Sequence, residues 1–251
     1  ASCSSHPSDI RSTVGKADFL AYVESAITVM ELCAAITEGR DHSAAGEDRL
    51  PYVILKLLDD VSLAHLTSLF NACLYHRAGP EAWKTAAVKV LSKAPTGGPM
   101  GPSLDPSNYR GSSLLSCVGK CFERVINTRL SEFLEHFDLL DDAQNGFRKH
   151  RGTDLHLHVL DESILSSDGD LPVCFIDIKK AFPSVRRSSL MTALHRTGVQ
   201  GPVWHFINEM YTNNTSRIIV GSVRSGGYTV ENGVRKGAIL SPILYTVFLD
   251  D

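Results

Sequence analysis

The chain lacks any apolar run approaching the roughly 18 residues needed to cross a bilayer, so its hydropathy predicts no spanning helix. It also lacks a repeated Cys-x-x-Cys spacing. Its six cysteines, Cys3, Cys33, Cys73, Cys117, Cys121 and Cys174, are scattered without clustered histidines beside them, which excludes a zinc pattern and predicts reduced, mostly buried thiols. Cys117 and Cys121 stand one helical turn apart, yet two further ligands would have to converge on them to hold a metal. An excess of one charge is missing too. With 25 Lys and Arg against 28 Asp and Glu the net charge is −3, so bulk cationic character is not what grips a nucleic acid, and only a local basic channel stays open. The first residues, ASCSSHPSDIRSTVGKADFL, have no apolar core behind a basic flank, and Ala1 in place of Met reads as the start of an excerpt.

What is present is the composition of a globular protein, 43% hydrophobic and 21% charged, in a chain long enough for one large domain or two ordinary ones. Residues 17–38 carry apolar positions at helical spacing and predict one helix, which GRDHSAAGEDRLP then ends. Residues 52–76 predict further helix. EAWKTAAVKVLSK reads as a Trp-anchored turn leading into a strand, and the Gly/Pro-crowded stretch 94–108 as a surface loop. SLLSCVGKCFERVINTRLSEFLEHFDLL predicts a long amphipathic helix, and QNGFRKHRGTDLHLHVLDESIL a basic junction entering another. VCFIDI predicts a strand, SSLMTALHRTGV and PVWHFINEMYTNN helices, SRIIVGSVRSGGYTVEN a hairpin, and GAILSPILYTVFLDD a final helix. Helices first, then strands and helices mixed, indicate an α+β protein with a small antiparallel sheet.

Asp177 stands out because a carboxylate inside VCFIDI is costly to bury unless paired, hydrogen-bonded or bound to a metal. Alternation puts Cys174, Ile176 and Ile178 on one side and Phe175, Asp177 and Lys179 on the other. On these residues alone, Asp177 reads equally as a strand-end ion-pair partner or as a Mg²⁺ ligand. Gln144, Phe147, Arg148, Lys149 and Arg151 form a basic cluster that suits phosphates without reading bases, or simply a solvated helix start.

A series of boxes extends these features along nearly the whole chain. In order they are SAAGEDRLP near residue 43, PEAWKTA at 80–86, LSK at 91–93, DPSNYRGSSLLS at 105–116, KCFERVINTRL at 120–130, QNGFRKHRGT at 144–153, FIDIKKAFPSV at 175–185 and GVRKGAILSPILY at 233–245. The series resembles the reverse transcriptase domain of non-LTR retrotransposons, with group II intron reverse transcriptases as more distant relatives.

The resemblance implies a right-hand polymerase: a helical extension over 1–42, a fingers-like region over 43–170 and part of a palm over 171–251. It implies RNA-templated DNA synthesis by two-metal nucleotidyl transfer, with Mg²⁺ or Mn²⁺ as cofactor. RNA template, DNA primer and deoxynucleoside triphosphates are the implied partners, with no membrane and an intracellular, nuclear or cytoplasmic setting. Asp177 becomes the first metal-binding carboxylate and the catalytic residue, with the Ile178 carbonyl as an extra ligand. Phe182 becomes the aromatic that excludes a 2′-hydroxyl. Lys93, Arg110, Lys236 and Gly237 fall to the nucleotide, and Gln144, Phe147, Arg148, Lys149 and Arg151 to the template. Gly233, Ser241 and Pro242 also fit the last box, and Arg217 and Arg224 reach primer or template or sit on a generic hairpin.

The sequence departs from the family pattern at Gly111, where Pro is common, at Pro183, where Asp is common, and at Lys236, where Gln is common. Asp250 and Asp251 follow Pro242 too closely to form the family's aromatic-x-Asp-Asp hairpin and read as the close of the supporting helix. The same features leave a second function open, an inactive retroelement remnant that binds nucleic acid or a protein partner.

Overall fold

The computed structural model describes residues 15–93 and 105–250. Cys3, Asp251, the first fourteen residues and the part of the Gly/Pro stretch from 94 to 104 lie outside the described residues.

The predicted helix over 17–38 is two, α1 (Lys16–Val23) and α2 (Val29–Thr37). The cause is Arg129, buried to 1% exposure. Its guanidinium donates to the carbonyls of Val23, Ser25 and Ala26 and bidentately to Glu31 at 2.7 and 2.8 Å, so carbonyls that a continuous helix would use internally turn outward. Thr28 restarts the chain with a capping box to Glu31. Burial raises the Glu31 pKa, but the bonds from Arg129 and Thr28 outweigh it and hold the carboxyl below its ordinary value.

After α3 (Tyr52–Leu55), α4 (Asp60–His76) and α5 (Glu81–Lys84) comes β1 (Thr85–Ser92). A 3₁₀ turn at Pro106–Asn108 leads into β2 (Tyr109–Leu114), and Ser116 caps α6 (Cys117–His136). β2 begins just past the predicted loop 94–108, and its last residues, Ser113 and Leu114, read as helix entry in the sequence. Along α6, Phe122, Val125, Ile126, Leu130, Phe133 and Leu134 are buried at helical spacing. Phe122 meets Phe70 of α4 at 5.1 Å, Trp83 of α5 at 5.6 Å and Phe206 at 4.4 Å, so four rings fix four elements around one point. Each ring contributes about 1.5–3 kcal/mol by leaving water.

α7 (Thr153–Leu165) follows, then α8 (Ala181–Ser184), α9 (Arg187–Arg196), α10 (Pro202–Met210), β3 (Thr215–Val220), β4 (Val223–Arg224), β5 (Tyr228–Thr229) and α11 (Ser241–Leu249). The sheet is mixed rather than antiparallel, which corrects the expectation. β1 pairs antiparallel with β2 but parallel with β3, Thr85 facing Thr215, and β4 and β5 both pair antiparallel with the far side of β3. The long crossover between β1 and β3 carries the helices, as a parallel pair requires.

The predicted strand at VCFIDI is not formed. Residues 171–178 form no helix or strand and are exposed, with Phe175 and Ile176 each 86% accessible, and among the described residues none pairs with them. A strand exists only against a neighbour that takes its N–H and C=O groups. Alternation read correctly is therefore insufficient. α7, just upstream, likewise has no buried residue.

Candidate functional site

The site is built around α8. Lys180 takes a left-handed conformation (φ 52°) and turns the chain from the Asp177 segment into this short helix. Phe182 is half-buried, its ring 5.2 Å from Tyr245 of α11 and 6.2 Å from Phe147. Gly233 N–H donates to Val185 O at 2.9 Å and Val234 N–H to Phe182 O at 3.0 Å, tying the GVRKG loop to α8. Gly233 has φ +85°, and a Cβ there would fall 2.8 Å from Pro183 Cα, so glycine is required on both counts. Gly237, at φ +84°, lies where a Cβ would be 2.9 Å from Ser113 O of β2. One loop thus touches both α8 and the strand that carries Arg110.

That loop is fastened from below. Arg235 donates to Glu123 Oε1 at 2.7 Å and to Trp83 O, while Glu123 Oε2 accepts Ile239 N–H at 2.7 Å and Leu240 N–H at 3.4 Å. Both side chains are nearly sealed from solvent, 5% exposed for Glu123 and 8% for Arg235. Ser241 Oγ donates to Arg235 O at 2.7 Å and lies 3.3 Å from the Tyr211 hydroxyl. Burial raises the Tyr211 pKa and keeps that hydroxyl protonated. Arg187 adds bonds to Gly233 O at 3.1 Å and Tyr211 O at 2.6 Å, and burial lowers its pKa. Glu123, Arg187 and Arg235 received no role in the sequence reading. Only Glu123 carried a signal, a carboxylate beside the apolar residues Cys121, Phe122, Val125 and Ile126, which is the pattern of a buried ion partner.

The remaining expected residues fall in three places. Arg110 and Lys93 lie at the open end of the β1–β2 pair, Arg110 across from Leu91 and exposed. Lys93 Nζ donates to Ser107 O at 2.6 Å. Lys236 and Gly237 are exposed on the loop. Phe147 takes φ +62° and Lys149 is exposed, Gln144 Nε2 donates to Gly146 O, and Arg151 pairs with Asp142 at 2.9 Å. Arg148 points inward. Its guanidinium grips Glu135 bidentately at 2.7 and 2.8 Å and donates to the carbonyls of Asp141 and Gln144, which makes it a strut for the 141–148 turn. The bond from Arg148 is the main reason Glu135 sits below its ordinary pKa.

Asp177 and Ile178 are exposed, and among the described residues none hydrogen-bonds to the Asp177 carboxylate. Its oxygens and the Ile178 carbonyl are hard donors, the type Mg²⁺ takes, so the residues present fit such an ion in kind. In number they do not complete it: no group of three or more His, Cys, Asp or Glu that could hold a metal occurs among the described residues. Asp250 is occupied elsewhere, accepting Asp141 N–H at 2.9 Å, and so ties the end of α11 to the 138–142 turn. Among the described residues no helix is long and apolar enough to cross a membrane.

A glycine loop and an aromatic helix thus stand beside a cation-bearing strand and a bare carboxylate. The chain belongs to the reverse transcriptase (RNA-dependent DNA polymerase) family, whose model matches residues 84–251. It is similar to the "Probable RNA-directed DNA polymerase from transposon BS" of Drosophila melanogaster, 30% identical over 228 residues covering 90% of this chain and 24% of that protein. It is also similar to the RNA-directed DNA polymerase from mobile element jockey of the same species, 30% identical over 233 residues, with 90% and 24% covered. The Pol polyprotein from retrotransposable element R2 of Nasonia vitripennis is 28% identical over 217 residues, with 85% and 20% covered. These relatives belong to non-LTR retrotransposons, and the chain spans about a quarter of their length or less.

Proposed function

We propose that this chain supplies the nucleotide-facing part of a retroelement polymerase that copies an RNA template into DNA from a DNA primer. The observation that carries the reading is the meeting of Phe182, Gly233, Gly237 and β2 at one place. A flat half-buried ring, two glycines that let backbone approach closely, and a strand ending in cations are what a deoxynucleoside triphosphate needs on three of its sides.

In this reading β1 and β2 belong to the fingers and the 171–251 region to the palm. Arg110 and Lys93 counter the triphosphate charge, Arg110 with the planar donor fork suited to phosphate. Lys236 and the Gly237 backbone flank the base, and Phe182 lies under the sugar and excludes a 2′-hydroxyl by bulk. Gln144, Phe147, Lys149 and Arg151 face the template. Arg148 serves that surface indirectly by bracing its turn. Asp177, with the Ile178 carbonyl, holds a divalent ion, Mg²⁺ or Mn²⁺. When bound, that ion aligns the primer 3′ oxygen with the α-phosphorus and offsets charge on the leaving pyrophosphate.

Phe182 gives the direct test. In a polymerase completed with the downstream part of the jockey relative, Phe182→Val is expected to raise ribonucleotide incorporation at least tenfold relative to deoxynucleotide. Unchanged sugar selectivity would reject the placement of the nucleotide against this ring.

A further inference from the structure

The segment that carries Asp177 exposes far more than a carboxylate. Every residue from Asp168 to Lys180, DGDLPVCFIDIKK, is exposed. Leu171, Val173, Phe175, Ile176 and Ile178 are between 41% and 86% accessible, and α7, which leads into the segment, has no buried residue. Among the described residues, none hydrogen-bonds to the backbone from Asp170 to Lys179, and none forms an ion pair with Asp168, Asp170, Lys179 or Lys180. Contiguous apolar surface of this kind marks a docking site, and a row of unused N–H and C=O groups is a template for a further strand.

The order of the charges says what docks there. Asp168 and Asp170 come first, the apolar residues follow, and Lys179 and Lys180 close the segment. Run in the opposite direction, this sequence is its own complement, acid against base and apolar against apolar. We propose that the segment docks on the same segment of a second copy of this chain, the two forming an antiparallel strand pair about a two-fold axis.

One register satisfies both copies. With Phe175 opposite its own mate, Cys174 faces Ile176, Pro172 faces Ile178, and Asp170 reaches the Lys179 and Lys180 end, each contact being made twice. When Phe175 and every second residue from it carry the hydrogen bonds between strands, Pro172, which has no N–H to donate, falls where none is needed. Asp177 then lies opposite Val173, with Lys179 beside it on the same face of its own strand. A parallel pair would instead set Asp170 against Asp170 and Lys180 against Lys180, which like-charge repulsion opposes. The proposal stands apart from the polymerase reading, since the pairing uses neither nucleotide nor metal.

The test is sedimentation velocity of the full chain over a concentration series in low salt, which is expected to show a monomer–dimer equilibrium. Asp168→Lys/Asp170→Lys should weaken the dimer about tenfold or more, and so should Lys179→Asp/Lys180→Asp, because each turns attraction into repulsion at both ends of the pair. Combining the four substitutions should restore association to within about threefold of the unaltered chain. All four residues are exposed, so these variants probe docking rather than folding. In a Cys3→Ser/Cys33→Ser/Cys174→Ser background, oxidation should join copies carrying Phe175→Cys, whose positions oppose each other, and leave copies carrying Leu171→Cys unjoined. A chain that stays monomeric throughout would give the segment to another occupant, such as further polypeptide, and overturn the proposal. A dimer indifferent to the charge reversals, a four-fold variant that is not rescued, or equal cross-linking through Leu171→Cys would overturn it too, by placing the interface elsewhere or in another orientation.

Discussion

Two segments meet at α8 and are held in opposite ways. The loop 233–241 is fixed by Glu123, Arg187, Trp83 O, Val185 O and Phe182 O, with the Arg235 guanidinium nearly sealed from solvent and Lys236 left exposed. The segment 171–178, only a few residues before α8, has neither a paired strand nor a buried side chain among the described residues, and its carboxylate faces solvent. The difference teaches that the surface proposed to face the nucleotide is preorganised by packing that the chain itself contains. The carboxylate proposed to hold the metal, by contrast, is merely presented. Buried ion networks hold geometry, and an exposed segment without a partner does not.

The comparison breaks most readily at Glu123. Glu123→Gln leaves Arg235 buried with an incomplete partner and should cost about 3–5 kcal/mol in denaturant unfolding; a loss under 1 kcal/mol would mean the network does not hold the loop. Gly237→Ala forces a side chain into the left-handed region against Ser113 O, with an expected cost of about 1–3 kcal/mol by thermal melting. A neutral result there would separate the loop from β2. A smaller effect is set by pH. Because Arg148 holds the folded-state pKa of Glu135 below its ordinary value, that pair stabilises above the ordinary glutamate range and its contribution is lost as pH falls through the lowered value. Arg148→Met should therefore flatten the acid limb of the stability curve, and an unchanged limb would assign acid sensitivity to other pairs. At the bottom of the scale stands Asp177→Asn. With no hydrogen bond among the described residues to lose, it should shift unfolding by less than about 0.5 kcal/mol.

What the sequence made legible divides along the same line. The boxes around Phe182, Gly233, Gly237 and Arg110 were legible through their resemblance to a known family, and the positive φ of Gly233 and Gly237 gives those two glycines a backbone reason. The helices α4, α6, α9, α10 and α11 were likewise visible in apolar periodicity. What stayed hidden depends on residues far apart in the chain. The break between α1 and α2 follows from Arg129, about a hundred positions away. The inward turn of Arg148 follows from Glu135, and the parallel pairing of β1 with β3 from a crossover no local pattern announces. The VCFIDI strand was overread because alternation describes a segment that could pair, not one whose partner is at hand.

The most direct test of the central claim is primer extension on an RNA template by the jockey-completed polymerase carrying Asp177→Ala, with circular dichroism and unfolding measured alongside. The account predicts that extension is lost, by at least a thousandfold, while the fold and its stability are unchanged. Retained extension in a folded Asp177→Ala protein would contradict it, because the exposed carboxylate would then have no part in the chemistry.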